Sequence, residues 1–287
     1  MFLDVCNRLG LEQDCIRVLL DAYEKARDHS AIPSACDSLI AGETETCEQI
    51  VERIALNTGV DRNAIVAVVL IVAVEQLKKA YADRGVPEEI MWDTLVDIKC
   101  KLTERHDLHG QWGVAAVGWY TRVYTLRIIK LGRLEFEPIG YKWDTPYCGI
   151  QKGDPVINVH IPSTGPMLIG DVLDSFKRAY LFFGYTNPMP VAVASWMMYP
   201  PVCEEVIKPG SNLRKFYELF DLVEQYEDPQ NKNFWRIFNM PYSEDVLDKV
   251  PLDTSLQRDL HAFMMSGRHM GIGRCMLFFD GEKIISK

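Results

Sequence analysis

The stretch "INVHIPSTGPMLIGDVLDSFKRAYLFF", from Ile157 to Phe183, contains a change from strand to helix. Apolar and polar residues alternate before Pro162, and apolar residues recur at helical spacing after Gly170. Pro162 ends the strand because proline has no N–H to donate to a neighbouring strand. A strand that passes through a short turn into a helix is typical of α/β architecture.

Small residues fill the turn: Ser163, Thr164 and Gly165. Their backbone amides can approach a ligand closely, and the following helix brings further N–H groups and its positive dipole end to the same place. Such an end favours phosphate, although Asp171 in the first helical turn opposes it because a carboxylate repels an anion. The sequence therefore leaves open a plain strand–helix turn and a seat for a phosphate-bearing cofactor.

The residues before about position 110 predict helices from their apolar spacing. The longest apolar run, "AIVAVVLIVAV" from Ala64 to Val74, is too short to cross a bilayer, which needs about 20 helical residues. Its polar flanks predict a helix buried on all sides, and its β-branched residues leave a strand as the alternative. Thr46 and Gln49 in "TCEQIVERIAL" have the spacing of a capping box, and Gly59 predicts the end of that helix.

The second part of the chain predicts strands that alternate with helices. "GRLEFEPIGYKW", "PVINVHIP", the more uniformly apolar "PVAVASWMMYP", "FWRIFNM" and "RCMLFFD" are predicted strands. Helices are predicted from Gly170 to Phe183, along "GSNLRKFYELFDLVEQYED" with Ser211 or Asn212 as its N-cap, and along "DTSLQRDLHAFMMSG". The predicted fold class is α/β (α+β), with an all-helical domain over residues 1–115 and a mixed-sheet domain over residues 116–287.

Composition narrows the functional classes. The 287 residues carry a formal net charge of −9, which disfavours nucleic acid and anionic membrane surfaces as partners. The eight cysteines form no C-x-x-C pair, so a zinc site and a disulfide scaffold are not expected. We expect reduced thiols in a cytoplasmic setting instead. The start "MFLDVCNRLG" lacks the pattern of a signal peptide, and no membrane span is expected.

Candidate proton-transfer groups lie on the polar faces of two predicted strands. Glu135 and Glu137 share one face, and His160 lies on the other strand. If the strands are neighbours, a carboxylate could orient or charge the imidazole for general base catalysis. The alternatives are a solvated strand face for the glutamates and a structural histidine that bonds the adjacent loop.

Ser195 and Tyr217 are weaker candidates from the residues alone. Ser195 lies in "ASWMM", which lacks the G-x-S-x-G pattern of a hydrolase nucleophile, so it could simply line a pocket. Tyr217 could present its phenol to a leaving group, and the alternative is an aromatic ring packed on the inner face of its helix.

Seven stretches, in this order, resemble one family of bacterial acyltransferases: "GRLEFE", "INVHIPSTGPM", "DSFKRAYLFF", "ASWMM", "SNLRKFYELF", "WRIF" and "LDTSLQRDLHAFMMSG". That family joins an N-terminal helical N-acyltransferase domain to a GNAT-like C-terminal domain. The resemblance is strong from about Trp112 to the end, whereas the helical part matches in architecture more than in motif.

The resemblance implies an acyl-CoA-dependent N-acyltransferase that transfers an acetyl or longer acyl group to an amine, without a metal. It implies that the strand Val156–Ile161 holds the thioester and that the loop from Pro162 to Gly170 holds the pyrophosphate. The cofactor-binding residues that it implies are Ile161, Pro162, Ser163, Thr164, Gly165, Ser195 and Asn212. Tyr217 would protonate the leaving thiolate, and Glu135 or His160 would be the base for a small-molecule amine or peptide acceptor.

The sequence "RHMGIG", from Arg268 to Gly273, fits R-x-x-G-x-G, the pyrophosphate-loop pattern of the GCN5-related N-acetyltransferase fold. It lies between a predicted helix and the last predicted strand, so no helix N-terminus follows it. We therefore interpret it as a glycine-rich helix end and strand entry.

Two other functions remain open at this point. A GNAT-like module could bind acyl-CoA or another ligand, or a partner protein, without turnover. The N-terminal helices could also serve as a docking unit for a carrier protein or another partner.

Overall fold

The structure is a computed structural model that describes residues 1–285. The chain divides into two compact units. The helical unit comprises Met1–Lys130 together with Pro162–Thr164, and the sheet unit comprises Leu131–Ile161 and the chain from Gly165 onwards.

Helices make up most of the first unit. They are α1 (Phe2–Arg8), α2 (Gln13–Ala26), α3 (Ile32–Ala41), α4 (Thr44–Thr58), α5 (Arg62–Val72), α6 (Val74–Asp83), α7 (Glu88–His109) and α8 (Val117–Tyr124).

Helix α5 forms the core of this unit, as the long apolar run predicted. Every residue from Ala64 to Ile71 is buried. Asp61 caps the helix by accepting hydrogen bonds from the backbone N–H groups of Asn63 and Ala64, at 3.0 and 3.1 Å. Burial of a continuous apolar stretch on all sides is the main source of stability for such a helix.

Hydropathy and length give one further result for the described residues. No single helix there is long and apolar enough to cross a membrane, although α4 and α5, bent by 117° at their junction, would together match such a span.

The capping box predicted at Thr46 is wrong. Helix α4 begins at Thr44 with Glu43 in the N-cap position, so Thr46 lies within the first turn. The end predicted at Gly59 is confirmed, because this glycine adopts the left-handed conformation of a helix C-cap, with φ of 67°.

The sheet unit combines one mixed sheet with several helices. The strands are β1 (Ile129–Leu131), of which Leu131 belongs to this unit, β2 (Leu134–Gly140), β3 (Pro155–His160), β4 (Met189–Ser195), β5 (Asp221–Glu227), β6 (Gly271–Phe279) and β7 (Ile284–Ile285). The helices are α9 (Ile169–Phe182), α10 (Pro200–Glu205), α11 (Asn212–Tyr217), α12 (Trp235–Phe238), α13 (Glu244–Leu247) and α14 (Ser255–Met265), with a 3₁₀ turn at Trp196–Met198.

The strand order across the sheet is β1-β2-β3-β4-β6-β5, and β7 pairs with β6. Strands β3 and β4 are parallel, with α9 as their crossover helix, whereas β2–β3, β4–β6 and β5–β6 are antiparallel. The mixed-sheet domain predicted from strand–helix alternation is thereby confirmed.

The two faces of the sheet are covered differently. Helix α9 packs Phe176 against Phe136 and Phe279, with ring centroids 6.2 and 5.9 Å apart. The opposite face carries the loop between β2 and β3, whose aromatic rings pack on central strand residues. This opposite-face cluster comprises Tyr141, Trp143, Tyr147, Val156, Ala192 and Met276.

Two sequence-based assignments are wrong. "FWRIFNM" contains helix α12, because Phe234 and Phe238 pack together with ring centroids 4.4 Å apart and are both buried in a cluster with α14. The helix predicted through "FYELFDLVEQYED" ends at Tyr217, and its second part is β5. Pairing of β5 with β6 is a long-range interaction that overrides local helical spacing.

Candidate active site

Strands β3 and β4 diverge at their carboxyl ends. Their parallel ladder joins Ile157 to Val191 and Asn158 to Ala192. Strand β3 continues to His160, where it pairs with β2, and β4 continues to Ser195, where it pairs with β6. The sheet therefore opens between β3 and β4 within its own plane, and a ligand can meet backbone N–H and C=O groups there.

His160 lies at this opening, on the face opposite α9. Its Nε2 atom is 3.0 Å from Oε2 of Glu137 on β2 and 3.1 Å from Nδ2 of Asn158. The imidazole is 20% exposed, whereas the Glu137 side chain is 3% exposed. In the tautomer in which Nε2–H donates to Glu137, the lone pair lies on Nδ1, which is the arrangement of an oriented general base.

Glu135 lies directly opposite His160 in the β2–β3 register. It is 1% exposed and Glu137 is 2% exposed, so the solvated strand face considered for these glutamates is wrong. The neighbouring strands confirm the premise that a carboxylate can orient the imidazole.

Strand β4 presents an exposed surface beside His160. Ala194 on β4 is exposed and pairs with Arg274 on β6, so both side chains lie on the His160 face. Arg274 donates to Glu224 of β5 at 2.7 Å, and Glu224 also accepts from the backbone N–H of Thr145 at 2.9 Å. These bonds tie the β2–β3 loop to the sheet edge and leave the space over Ala194 uncovered.

The start of α9 has the features of an anion seat. Leu168 occupies the N-cap position and makes no side-chain capping bond. Gly165 and Gly170 are exposed, and a Cβ at either position would have no heavy atom within 4 Å. Gly165 has φ of 118°, which side-chain-bearing residues rarely adopt, so the turn itself requires glycine there. The uncapped N–H groups and open glycines fit a diphosphate.

The rest of the predicted loop groups with the helical unit. Pro162–Thr164 belongs to that unit, and the Ser163 hydroxyl donates to Glu104 of α7 at 3.2 Å. The Thr164 N–H donates to Pro162 O at 2.8 Å within the turn. The side chain of Ser163 and the amide of Thr164 are thus already bonded to protein groups, which leaves Gly165 and the helix start as the better placed part of the loop.

Ser195 and Asn212 both lie at helix starts. The Ser195 hydroxyl accepts from the backbone N–H of Met197 at 3.2 Å and so caps the 3₁₀ turn after β4. Asn212 is the first residue of α11, and the N-cap is Ser211, which accepts from the Arg214 N–H. A cofactor contact for either residue stays a prediction.

Tyr217 ends α11 and packs against a second apolar cluster that includes Trp196 and Phe263. Its hydroxyl donates to Glu204 at 3.2 Å. Burial, reinforced by the Glu204 charge, raises the pKa of Tyr217 to about 12, so the phenol is protonated at neutral pH. The structure brings Glu137 and His160 together, whereas Tyr217 belongs to this separate cluster.

The "RHMGIG" segment is part of the scaffold. Gly271 and Gly273 lie within β6, where a Cβ on Gly273 would be 1.7 Å from Met198 O. Arg268 pairs with both carboxylate oxygens of Glu205 at 2.7 Å. These glycines permit close backbone packing, which supports interpreting the segment as strand entry rather than as a pyrophosphate loop.

Two residues of this region were not assigned a specific role from the sequence. Glu137 was grouped with Glu135, and its contact with the ring depends on the strand register. Arg133 has no role that its local sequence indicates, although it bonds the carbonyls of Gly165 and Pro166. Among residues 1–285, no group of three or more His, Cys, Asp or Glu side chains could hold a metal ion.

Sequence models of two protein families match the chain. Residues 2–126 match the N-acyltransferase N-terminal domain, and residues 128–277 match the GNAT-like C-terminal domain. A search of curated proteins gives no significant match.

Several solved structures share the fold. One is an acyltransferase in complex with decanoyl-CoA and teicoplanin, with a TM-score of 0.76 and 22% identity. A second is an acyltransferase variant in complex with octanoyl-CoA, with a TM-score of 0.75 and 22% identity. A third is an acyltransferase in complex with CoA and 10C-teicoplanin, with a TM-score of 0.74 and 22% identity. Each alignment covers 95% of this chain and 86% of the other.

Proposed function

The chain belongs to the family that joins an N-acyltransferase N-terminal domain to a GNAT-like C-terminal domain, and we propose that it transfers an acyl group from acyl-CoA to an amine. The observation that carries the proposal is the divergence of β3 and β4 with the Glu137–His160 pair at the opening. The acceptor is a small-molecule amine or a peptide amine, and the reaction needs no metal.

The diphosphate of CoA would be held at the start of α9. Backbone N–H groups from Gly165 to Gly170 and the positive end of the helix dipole favour the anion, and the two exposed glycines leave room for it. From there the pantetheine arm would run into the opening between β3 and β4 and place the thioester beside Ala194.

The amine would approach from the His160 face. His160 Nδ1 would accept the proton that the ammonium loses, and Glu137 would hold the ring and stabilise the imidazolium. The amine nitrogen then attacks the thioester carbon, a C–N bond forms and the C–S bond breaks. Glu135, which is less exposed than His160, remains the second candidate for the base.

The thiolate of CoA needs a proton as it leaves. Tyr217 is the proposed donor, as the family resemblance implies. Its phenol stays protonated at neutral pH, although its hydroxyl donates to Glu204 in the separate cluster described above. A backbone N–H at the end of β4 would support the oxyanion, and Ser195 would border the same space. The products are an amide and free CoA, and no covalent enzyme intermediate is required.

We propose that the acyl chain is longer than acetyl. The fold neighbours were crystallised with octanoyl-CoA and decanoyl-CoA. A bacterial, cytoplasmic setting remains part of the proposal and rests on the resemblance and on the pattern of free cysteines.

The test is thiol release from acetyl-, octanoyl- and decanoyl-CoA with a panel of amines, with mass spectrometry of the amide products. Transfer with an acyl chain longer than acetyl supports the proposal. Tight CoA binding in calorimetry without turnover of any donor would instead favour a ligand-binding module of the same fold.

A further inference from the structure

Arg133 lies in the turn between β1 and β2, and its side chain bonds the loop that leads into α9. Its Nε donates to Pro166 O at 3.0 Å and its Nη2 donates to Gly165 O at 2.8 Å. One planar guanidinium therefore fixes two successive carbonyl groups. Both Gly165 and Pro166 are exposed, so packing does not fix this part of the loop.

A buried serine joins the same turn to the helix. The backbone N–H of Arg133 donates to Ser175 Oγ at 2.7 Å, and Ser175 Oγ donates to Asp171 O at 2.7 Å. Ser175 is 0% exposed, and a Cβ on Gly132 would lie 2.7 Å from its hydroxyl. The turn thus has a fixed position relative to the first two turns of α9, and Arg133 acts from a rigid base.

The two hydrogen bonds from Arg133 determine the direction in which the backbone amides of the loop point. No peptide bond among the described residues is cis. In a trans peptide the N–H points opposite to the C=O, so the N–H of Met167 points away from the guanidinium that holds Pro166 O. Residue 166 is a proline and has no N–H of its own, which makes Met167 the first amide that this peptide plane can present to a ligand.

Arg133 also adds a positive charge next to this loop. The segment from Ile161 to Gly170 contains no lysine or arginine, and Asp171 in the first turn of α9 repels an anion. Arg133 brings a positive charge to the carbonyl side of this loop. Arg178, which is two turns further along α9, is instead bonded to Asp174 at 2.6 Å.

Building on the proposed function, we infer that Arg133 is a positioning residue for the CoA diphosphate. It holds the Gly165 and Pro166 carbonyls so that the Met167 amide and the helix start face the ligand.

The test pairs a substitution with a shortened donor. Octanoyl-pantetheine carries the thioester but lacks the diphosphate and the nucleotide. Arg133→Gln is expected to raise KM for octanoyl-CoA by about tenfold or more, with little change in kcat, because the Gly165 and Pro166 carbonyls are no longer held and the Met167 amide loses its fixed direction. kcat/KM for octanoyl-pantetheine is expected to stay within about twofold.

Controls separate positioning from general damage. Arg178→Gln should leave the KM for both donors unchanged. Arg133→Lys keeps the charge but cannot hold two carbonyls in one plane, so it should give an intermediate KM for octanoyl-CoA. Equal losses for both donors, or a lysine variant equal to wild type, would overturn the assignment of Arg133. A wild-type protein that turns over neither donor would contradict the proposed function, and CoA calorimetry on Arg133→Gln would still test the positioning role.

Discussion

Asp97 in the helical unit and Glu137 in the sheet unit are both carboxylates at 2% exposure, but their partners differ. Asp97 Oδ2 accepts from Trp119 Nε1 at 2.8 Å and from the Tyr120 hydroxyl at 3.2 Å. Glu137 meets the imidazole of His160, a titratable group that is itself 20% exposed.

The partners determine what each carboxylate can do. Trp119 and Tyr120 are neutral donors on helix α8, 22 and 23 residues further along the chain. Burial raises the pKa of Asp97 above its ordinary value. That arrangement satisfies a buried acceptor and stabilises a fold. Glu137 instead orients a partly exposed ring that a substrate can reach, which is the arrangement of a catalytic pair.

The largest effect is expected from His160→Asn. Loss of the general base should lower kcat for octanoyl transfer on the order of 10²–10⁴-fold, while CoA affinity by calorimetry stays the same. His261→Asn, a histidine on α14, is the matched control and should keep full activity. A His160→Asn variant with near-normal kcat would show that the Glu137–His160 pair is not catalytic, and Glu137 would then not differ from Asp97 in function.

The next effect is one of stability alone. Asp97→Ala removes the buried acceptor of the Trp119 and Tyr120 hydrogen bonds and should lower the free energy of unfolding by about 2–4 kcal/mol in urea titrations. Asp97→Asn keeps an acceptor oxygen and should lose much less. If folded Asp97→Asn protein lost transfer activity, Asp97 would no longer be a purely structural carboxylate.

Glu137→Gln should come third. The amide can still hold the ring but cannot stabilise the imidazolium, so kcat should fall by about 10–100-fold with CoA affinity unchanged. Glu135→Gln is the matched variant on the same strand face and should have the smaller effect. The reverse order would move the base from His160 to Glu135.

The sequence predicted this strand face correctly, but not its burial. A period of two places Glu135 and Glu137 together, and antiparallel pairing then sets His160 opposite Glu135. Which carboxylate contacts the ring depends on side-chain direction across the pair. Burial depends on what packs over β2, and no local pattern in "RLEFEP" contains that information.

Long-range pairing explains the other differences. The apolar spacing of Phe216, Leu219, Phe220 and Val223 suits a helix, yet β5 forms because β6 offers a free edge. Arg133 could not be connected with the loop from sequence because its grip on Gly165 and Pro166 spans more than 30 residues of chain. Helix α9, whose signals are all local, was predicted to within a residue at each end.

Helix starts in the two units show the same contrast as the carboxylates. Asp61 caps α5 from its own side chain, whereas Leu168 leaves the start of α9 uncapped. Gly170→Glu adds a negative charge in open space there and should weaken CoA binding by about tenfold in calorimetry. Gly170→Ala is the matched control and should bind normally. Equal affinities for both variants would place the diphosphate elsewhere.

The smallest effect concerns a third carboxylate, Glu224, which is tied to the sheet edge and partly exposed. The Thr145 backbone N–H and the Arg274 guanidinium hold the pKa of Glu224 at about 2, well below its usual range. A lowered pKa stabilises the fold above the unfolded-state value, near 4.5, and this contribution is lost as pH falls towards 2.

Glu224→Gln should therefore lower the free energy of unfolding by about 1 kcal/mol at pH 7, an amount that allows for solvent screening of a partly exposed pair. The difference from wild type should shrink when urea midpoints are measured at pH 3.5, because the wild-type carboxylate has by then lost part of its advantage. A difference that stayed constant between the two pH values would mean that packing of the β2–β3 loop, rather than the charge of Glu224, holds this edge. In that case the charge of Glu224 would have neither a catalytic role nor a pH-dependent role in stability.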